Sequence, residues 1–560
     1  MDSSAPTWLA EPRLTILLAL LFSLPAILLP ATSERLFRRI ESLASRFAAH
    51  KILAITALFL SVVALRVALL GKLPVPNPGI HDEFSYLLMG DTFAHGRLAN
   101  PTHPLWRSFE TFHVLWFPVY ASKYPPAQGL VLAFGQLLGH PWIGVLLSAA
   151  AMAAAFVWML QAWIPARWAL LAGILAAAKL CIACYWMNSY WGGAVAAIGG
   201  ALVLGAIGRM KRRPTLASGI LLGLGVAILI NSRPYESIFF CVPVATALGL
   251  WFLRGAKGEN ARRAAMRLVF LPAAGILLVT LSFMGYYNWR LTGNPADLPY
   301  AYATRVNGRA AMFLWQTPKP PMHYNNAAME TFYNQYERLN YDRTWTALQS
   351  VFQDKLDHCL NTFFWPACWL LLPGVLFLYR DTRLRLLYAC FLAVLLGYAL
   401  VTWPGPHYLA PAAACFFALL VQSIRHLRTI RIFRRPIGAA LSRAILLALC
   451  LDVASLAAQR IGDPQGWGGW GLSDRADLLH DLESKPGKHV VLVRYAPDHS
   501  VHEEWVYNAA DIDASKVIWA RDLPGEVNNQ LLNYYPDRTI WLALPDDNEV
   551  SELRPPLKPR

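Results

Sequence analysis

The stretch ILAITALFLSVVALRVALL, Ile52 to Leu70, is an apolar block with a single charge, Arg66, that gives way to the breaker run GKLPVPNPG, Gly71 to Gly79, and then to HDEFSYLLMGDTFAHGRLANPTHP, His81 to Pro104. A helix needs roughly 17 to 25 such residues to cross about 30 Å of hydrocarbon, and helical pairing keeps its backbone groups satisfied there. Similar blocks return near 14–31, 141–163, 167–187, 191–208, 216–231, 237–253, 268–287, 364–379, 386–402, 408–424 and 438–457. With 56% of 560 residues hydrophobic and 15% charged, the sequence predicts a polytopic α-helical membrane protein of about 11 to 13 spans. The block 14–31 contains prolines and reads as a span, a hairpin or an uncleaved signal-like segment. Ala127 to Leu138 is too short to span and reads as re-entrant or interfacial.

A net charge of +15 would suggest nucleic acid in a soluble chain, but the basic residues sit in short connections between apolar blocks. They are SERLFRRIESLASRFAAHK, RMKRRP, RGAKGENARRAAMR, RDTRLR and RHLRTIRIFRRP. The positive-inside rule makes these cytoplasmic. The spans then alternate without contradiction, and 71–126, Asn231 to Glu236, 288–363, Thr402 to His407 and the tail from about 459 face outward. The basic surplus is thus a topology signal, and no nucleic-acid partner is expected. Of the 8 cysteines, all but Cys359 fall in or beside apolar blocks. Cys181 and Cys184 form a CxxC inside a block and read as small packing residues.

The expected organisation is a membrane body over 1–458, with external loops 71–126 and 288–363, and a soluble external domain over 459–560. The tail opens on the linker GDPQGWGGWG and a helix-like SDRADLLHDLESK. The runs KHVVLVRY, SKVIWARD and DRTIWLAL follow, rich in Val, Ile and Trp and separated by stretches such as GEVNNQLLNYY. This pattern predicts a small α/β layer.

From Asp82 to His95 the chain reads as a short helix stopped by Gly96. Adjacent helical residues point about 100° apart, so Asp82 and Glu83 do not both face one small target. Acids in a first turn also suit free amides and the helix dipole, and spacing alone does not separate that structural role from chemistry.

A membrane-exit helix, then DEFSY, then an external loop closing in SKYPPAQG, resembles the C-type glycosyltransferase superfamily, which includes protein O-mannosyltransferases and the lipid A aminoarabinose transferase. The resemblance implies a bacterial inner-membrane enzyme that takes a sugar from a polyprenyl phosphate or diphosphate on the external face and inverts the anomeric carbon. It implies Asp82 as the catalytic acid of the motif and Glu83 as the neighbour that arranges acceptor or loop. It places Lys123 of KYPP close to the donor phosphate, and His407 and Tyr408 of PGPHYLAP as a basic-aromatic pair. The chain departs from the pattern in NSYWGG, Asn188 to Gly193, which holds no second acid.

The chemistry is coherent by itself. An attacking hydroxyl loses a proton as it displaces phosphate, so one carboxylate suffices as general base. Fixed cations stabilise the charge on the departing oxygen, and the candidates are Lys123, Arg233, His407 and Arg305. Arg233 and Glu236 of NSRPYES lie at the external end of a span, where an arginine either snorkels or faces a site. Tyr86, Tyr124, Trp191, Glu236 and Tyr302 are expected to line the substrate path, with Trp106 and Trp116 nearby. The second loop, around YYNWRLTGNPADLPYAYATRVNGR, is expected to choose the acceptor, which is a glycan, lipid or protein.

No cofactor is expected, with a divalent metal as the alternative. His81, His95, His103 and His113, with Asp91 or Glu110, match no metal-ligand spacing, and HSVHEEW at His499 to Trp505 is not HExxH. A competing function is a transporter or flippase of an amphiphilic lipid-linked substrate. That class would place its charges near the bilayer midplane in repeated halves, whereas these gather at helix ends. A tail-driven sensor or assembly factor is a third class, and loops of this length argue against a mere anchor.

Overall fold

The computed structural model describes residues 11–554 except 29, 183, 256–257, 338–343, 364, 434, 463–472 and 524. It is dominated by helices, and 7 of those described are long and apolar enough to cross a membrane, from Lys51–Ala68 to Ile437–Ala458. The chain is a multi-pass membrane protein. Shorter apolar helices, Ala194–Met210, Leu216–Ser232 and Pro366–Val375, accompany them. Helices that are apolar all round are buried or face lipid, and both kinds occur. Pro141–Leu160 runs through the middle, while Leu271–Thr292 leaves Leu278 and Val279 about 70% exposed.

Small residues let the central helices approach. A Cβ on Gly225 would lie 2.8 Å from the Gly199 carbonyl oxygen, so Leu216–Ser232 and Ala194–Met210 meet backbone to backbone. Close contact of this sort supplies the dispersion energy that hydrophobicity does not provide within lipid.

Two expected spans end differently. The block 167–187 is helical only over Ala166–Leu180, and the chain then turns to form a loop. The block 364–379 breaks into the short turns Pro366–Leu371, Leu372–Val375 and Leu378–Arg380, because Pro366 and Pro373 remove helical donors. The short stretch near 127–138 is the 12-residue helix Pro126–Leu137, with Leu130, Phe134 and Leu137 exposed along one side. The first block, 14–31, is divided between the helix Glu11–Leu28 and the start of the helix Pro30–Ala49. Most of the linker GDPQGWGGWG lies outside the described residues.

At one end of the body, the helix Pro30–Ala49 is fastened by its acids. Glu41 accepts from both terminal nitrogens of Arg428 at 2.8 and 3.0 Å, and Glu34 pairs with Arg443 at 2.8 Å. Lys51–Ala68 leads away from this network to the opposite end, where the loops gather. There Arg66, almost fully buried, donates to the carbonyls of Leu73 and Pro74 and to Asn188 Oδ1, so the breaker run is held to the loop after Leu180.

The first loop contains the two-stranded pair β1 (Val114–Leu115) and β2 (Ala121–Ser122). The C-terminal part forms a four-stranded sheet of β3 (His489–Val493), β4 (Val517–Arg521), β5 (Thr539–Leu544) and β6 (Glu549–Arg554), in the order β4-β3-β5-β6. β3 pairs in parallel with β4 and β5, and β6 runs antiparallel to β5. The runs rich in Val, Ile and Trp are therefore strands, and β3 and β4 are buried throughout, as parallel strands covered on both faces should be.

Part of that cover comes from the first loop. Phe84, Leu88, Phe109, Val114, Trp116 and Tyr120 share one core with the sheet. Polar contacts fix the join: Asp91 Oδ2 accepts from the Ala510 amide at 2.8 Å, and the Tyr120 hydroxyl donates to the Asn508 carbonyl at 3.1 Å.

Candidate active site

The breaker run delivers the chain into the helix His81–Ala94, and the first turn separates its two acids. Glu83 is 5% exposed and faces backbone: Oε2 accepts from the amides of Gly79 and Ile80 at 2.8 and 3.2 Å, and Oε1 from that of Tyr190 at 2.9 Å. Burial pushes its carboxyl up to about 7 against the pull of those amides. It pins the helix start to the NSYWGG loop, and that is the place where no second acid stands.

Asp82 turns the other way, into a cavity of about 1140 Å³. Its Oδ1 accepts a hydrogen bond from the Tyr124 hydroxyl, and its Oδ2 lies 3.5 Å from His81 Nε2. Tyr124 stacks on Tyr86 with ring centroids 4.4 Å apart, so the group that orients Asp82 is itself held.

Lys123 follows β2 and reaches the same wall, donating to His113 Nδ1 and lying 5.2 and 5.0 Å from the rings of Tyr124 and Tyr300. Burial brings its ammonium down to about 8, while the negative charges of Asp82 and Glu337 oppose that shift. Arg233 ends the helix Leu216–Ser232 just before Pro234, with its guanidinium 5.0 Å over the ring of Tyr408. His407 is 2% exposed, and its Nδ1 is 3.0 Å from the Tyr185 hydroxyl. Trp191 meets the His407 ring edge-on at 4.7 Å. Asp82, Glu83, Tyr86, Lys123, Tyr124, Trp191, Arg233, Glu236, His407 and Tyr408 all line the cavity.

Arg305 and Tyr302 do not. Arg305 pairs with Asp297 and covers the Tyr302 ring at 5.3 Å, with its side chain 59% exposed. The reason is helical phase: along Pro299–Val306 the cavity is lined by Pro299, Tyr300, Ala301, Ala303 and Thr304, and at about 100° per residue positions 302 and 305 fall together on the remaining side of the helix. Trp106 and Trp116 are also elsewhere, against Phe117 and Tyr120 respectively.

The cavity has further walls that the linear sequence conceals. Phe332, Tyr333, Tyr336 and Glu337 come from the second loop and His502 from the C-terminal part. Glu337 is 6% exposed, accepts from the Ala310 amide at 2.9 Å, and is pushed up to about 7 by burial. Phe332 and Tyr333 pack with Phe112 in one small core, which joins the two loops above Asp82.

Among the described residues, His81, Asp82 and His113 bring ligand atoms within 4.8 Å of one another. Two imidazoles and a carboxylate suit a divalent transition metal. The Lys123 ammonium, however, occupies one ring nitrogen of His113 and places a positive charge against the cluster. His95 and His103 lie apart from it, beside Asp91 and Asp513, and Glu110 accepts from Asn325 and Asn326.

No family model matches the chain, and no curated protein matches it. Among solved structures, ArnT from Cupriavidus metallidurans bound to undecaprenyl phosphate aligns with a TM-score of 0.52 at 14% identity, over 88% of this chain and 93% of that one. The apo state of the same protein gives 0.51 at 13%, over 89% and 94%. Agreement that spans nearly the whole of both chains establishes the architecture, so this chain has the fold of ArnT, an aminoarabinose transferase of the C-type glycosyltransferases.

Proposed function

We propose that the protein moves a sugar from a polyprenyl-phosphate-linked donor to a hydroxyl of a glycan, lipid or protein acceptor, with inversion, on the outward face of a bacterial inner membrane. The body to residue 458 carries the chemistry, in about 11 to 13 spans, and the part from 459 lies on the same outward side. The observation that carries the reading is the cavity at the ends of apolar helices, which the Asp82 carboxylate faces together with the cations Lys123 and Arg233. The ArnT crystals hold undecaprenyl phosphate, a ligand of the chemistry that these cations suit.

In this reading the acceptor O–H gives its proton to Asp82 while its oxygen forms a bond to the anomeric carbon. The bond from that carbon to the phosphate oxygen breaks, and polyprenyl phosphate leaves with both electrons. General-base help of this kind is worth about 10²- to 10⁴-fold. Lys123 and Arg233 meet the growing negative charge where water is scarce, which is where fixed cations act most strongly. Glu83 holds the helix start in place, and the side-chain cations do the work without a metal.

The test is turnover of polyprenyl-phosphate sugar by the purified full-length chain. Asp82→Asn is expected to lower it by about 10²-fold or more while undecaprenyl phosphate still binds in native mass spectrometry. Chelator treatment is expected to leave the rate unchanged. Full activity in Asp82→Asn would remove the base, and loss of activity on chelation would give the His81, Asp82 and His113 cluster a metal.

A further inference from the structure

The polar groups that line the cavity are of two kinds, those already bonded within the chain and those left open. Glu83, Lys123 and Glu337 are of the first kind. Asp357 and Asn361 are of the second: both line the cavity, and neither side chain makes a hydrogen bond or ion pair with a described residue. The indole nitrogens of Trp191 and Trp403, also in the lining, are likewise unbonded, and they are not sealed in as that of Trp186 is. We propose that Asp357, His358 and Asn361, with the Trp191 and Trp403 indoles, form a carbohydrate subsite that bonds the hydroxyls of a sugar ring. The inference rests on the transfer reading given above and names a substrate class for the same cavity.

Separate contacts bring these residues together. All three polar residues lie on the helix Trp345–Phe363, where Asn361 falls between Asp357 and His358 on an arc of about 100°. Lys355, about 60° further round, is 3% exposed and anchors the helix: it donates to the carbonyls of Tyr398 and Ala399, each at 3.2 Å, and to that of Val401. Those carbonyls end the helix Arg385–Leu400 and lead directly to Trp403. At its last turn Phe363 meets the Trp186 ring at 5.6 Å, in the loop that carries Trp191. Trp191 in turn meets His407, which is close enough to His358 for their charges to interact. Trp403 stacks on Tyr336 at 6.4 Å, and Tyr336 lies within the field of Asp82, so the subsite adjoins the reacting end of the cavity.

The open groups fit neither part of the lipid carrier. A phosphate would meet an unpaired carboxylate at Asp357, and a prenyl chain would strip water from these side chains without replacing their hydrogen bonds. A sugar ring answers both objections. His358 Nδ1 donates to the Asp354 carbonyl at 2.6 Å, so the other nitrogen of the neutral ring is an acceptor. Asp357 and His358 therefore take O–H groups, while the Asn361 amide and the indoles give N–H bonds to hydroxyl oxygens. The ring belongs to the donor or to a glycan acceptor, which share this chemistry.

The test uses the full-length chain with undecaprenyl phosphate, undecaprenyl-phosphate hexose, and a host membrane extract split into glycan and protein fractions. Asp357→Ala and Asn361→Ala are each expected to lose about tenfold, the scale of one lost hydrogen bond, in one of two measures. Weaker binding of the sugar-bearing carrier in native mass spectrometry assigns the subsite to the donor sugar, and a higher KM for the glycan fraction at unchanged kcat assigns it to the acceptor. Undecaprenyl phosphate binding is expected to stay at the wild-type level, and Asp357→Asn, which keeps an oxygen acceptor, to recover most of the loss. No change in either measure overturns the inference. A KM that rises for the protein fraction alone also overturns it, as does loss of undecaprenyl phosphate binding in both alanine variants, the mark of a merely structural role. A wild type that transfers nothing removes the transfer reading, and binding then decides the subsite: equal affinity for the bare and the sugar-bearing carrier overturns it.

Discussion

Asp82 and Glu83 are neighbours in the chain with opposite surroundings, and each has its own expected behaviour. Glu83 is held to the backbone amides of Gly79, Ile80 and Tyr190, and burial raises its carboxyl from 4.5 to about 7. The folded state therefore holds that proton more tightly than the unfolded one, so the Glu83 contribution to stability falls as pH rises from 4.5 to 7, by roughly 3 kcal/mol. Thermal melts across that range should show Glu83→Gln with a shallower loss than wild type. Lys123 has the reverse sense, since its ammonium is lowered from 10.5 to about 8 and the charge is lost as pH passes that value. In the proposed transfer the donor is a phosphodiester that does not titrate there, so kcat/KM should fall about tenfold per pH unit above the break. Lys123→Arg should move the break upward, which a pH–rate profile reads directly. The pairing of acid and cation was legible from DEFSY and SKYPP through their resemblance to a known superfamily. Tyr300 was not legible, because the phase of a short helix within a long loop is set by what it packs against.

Among the elements, the loop after Leu180 shows how packing overrides hydropathy. Its composition continues the apolar block, yet the chain turns there. Asn188 receives Arg66, and Gly192 and Gly193 pass so close to Trp186 that a Cβ on Gly193 would lie 2.5 Å from that indole and 2.8 Å from the Ala410 Cβ. Gly193→Ala should therefore overpack this contact and cost about 1–3 kcal/mol. It should also shift Trp191 off His407, so a lower melting temperature is expected together with reduced turnover. The segment 364–379 was likewise read as one span from its apolar content, while its prolines break it into turns. Hydropathy measures where a segment is content to sit and says little about whether its backbone stays helical.

At the level of the whole molecule, the C-terminal sheet and the first loop share a core, and the Glu504–Arg521 pair is buried at their junction. Breaking such a pair from one side leaves an uncompensated charge, so Arg521→Ala should cost about 3–5 kcal/mol. Limited proteolysis should then cut the C-terminal part first, transfer should fall with it, and undecaprenyl phosphate binding should persist, because Lys123 and Arg233 sit on other elements. The sequence by itself determined that the chain spans a membrane many times, that an acid begins the first loop and that a small α/β layer follows the body, since these are properties of composition and local periodicity. Only the tertiary structure decided that Glu83 serves the backbone while Asp82 faces the cavity, that Tyr300 replaces Tyr302 and Arg305 in its lining, and that His502 of the C-terminal part lines the same cavity. Those facts depend on contacts between segments hundreds of residues apart, and no local pattern encodes the distance at which two such segments come to rest.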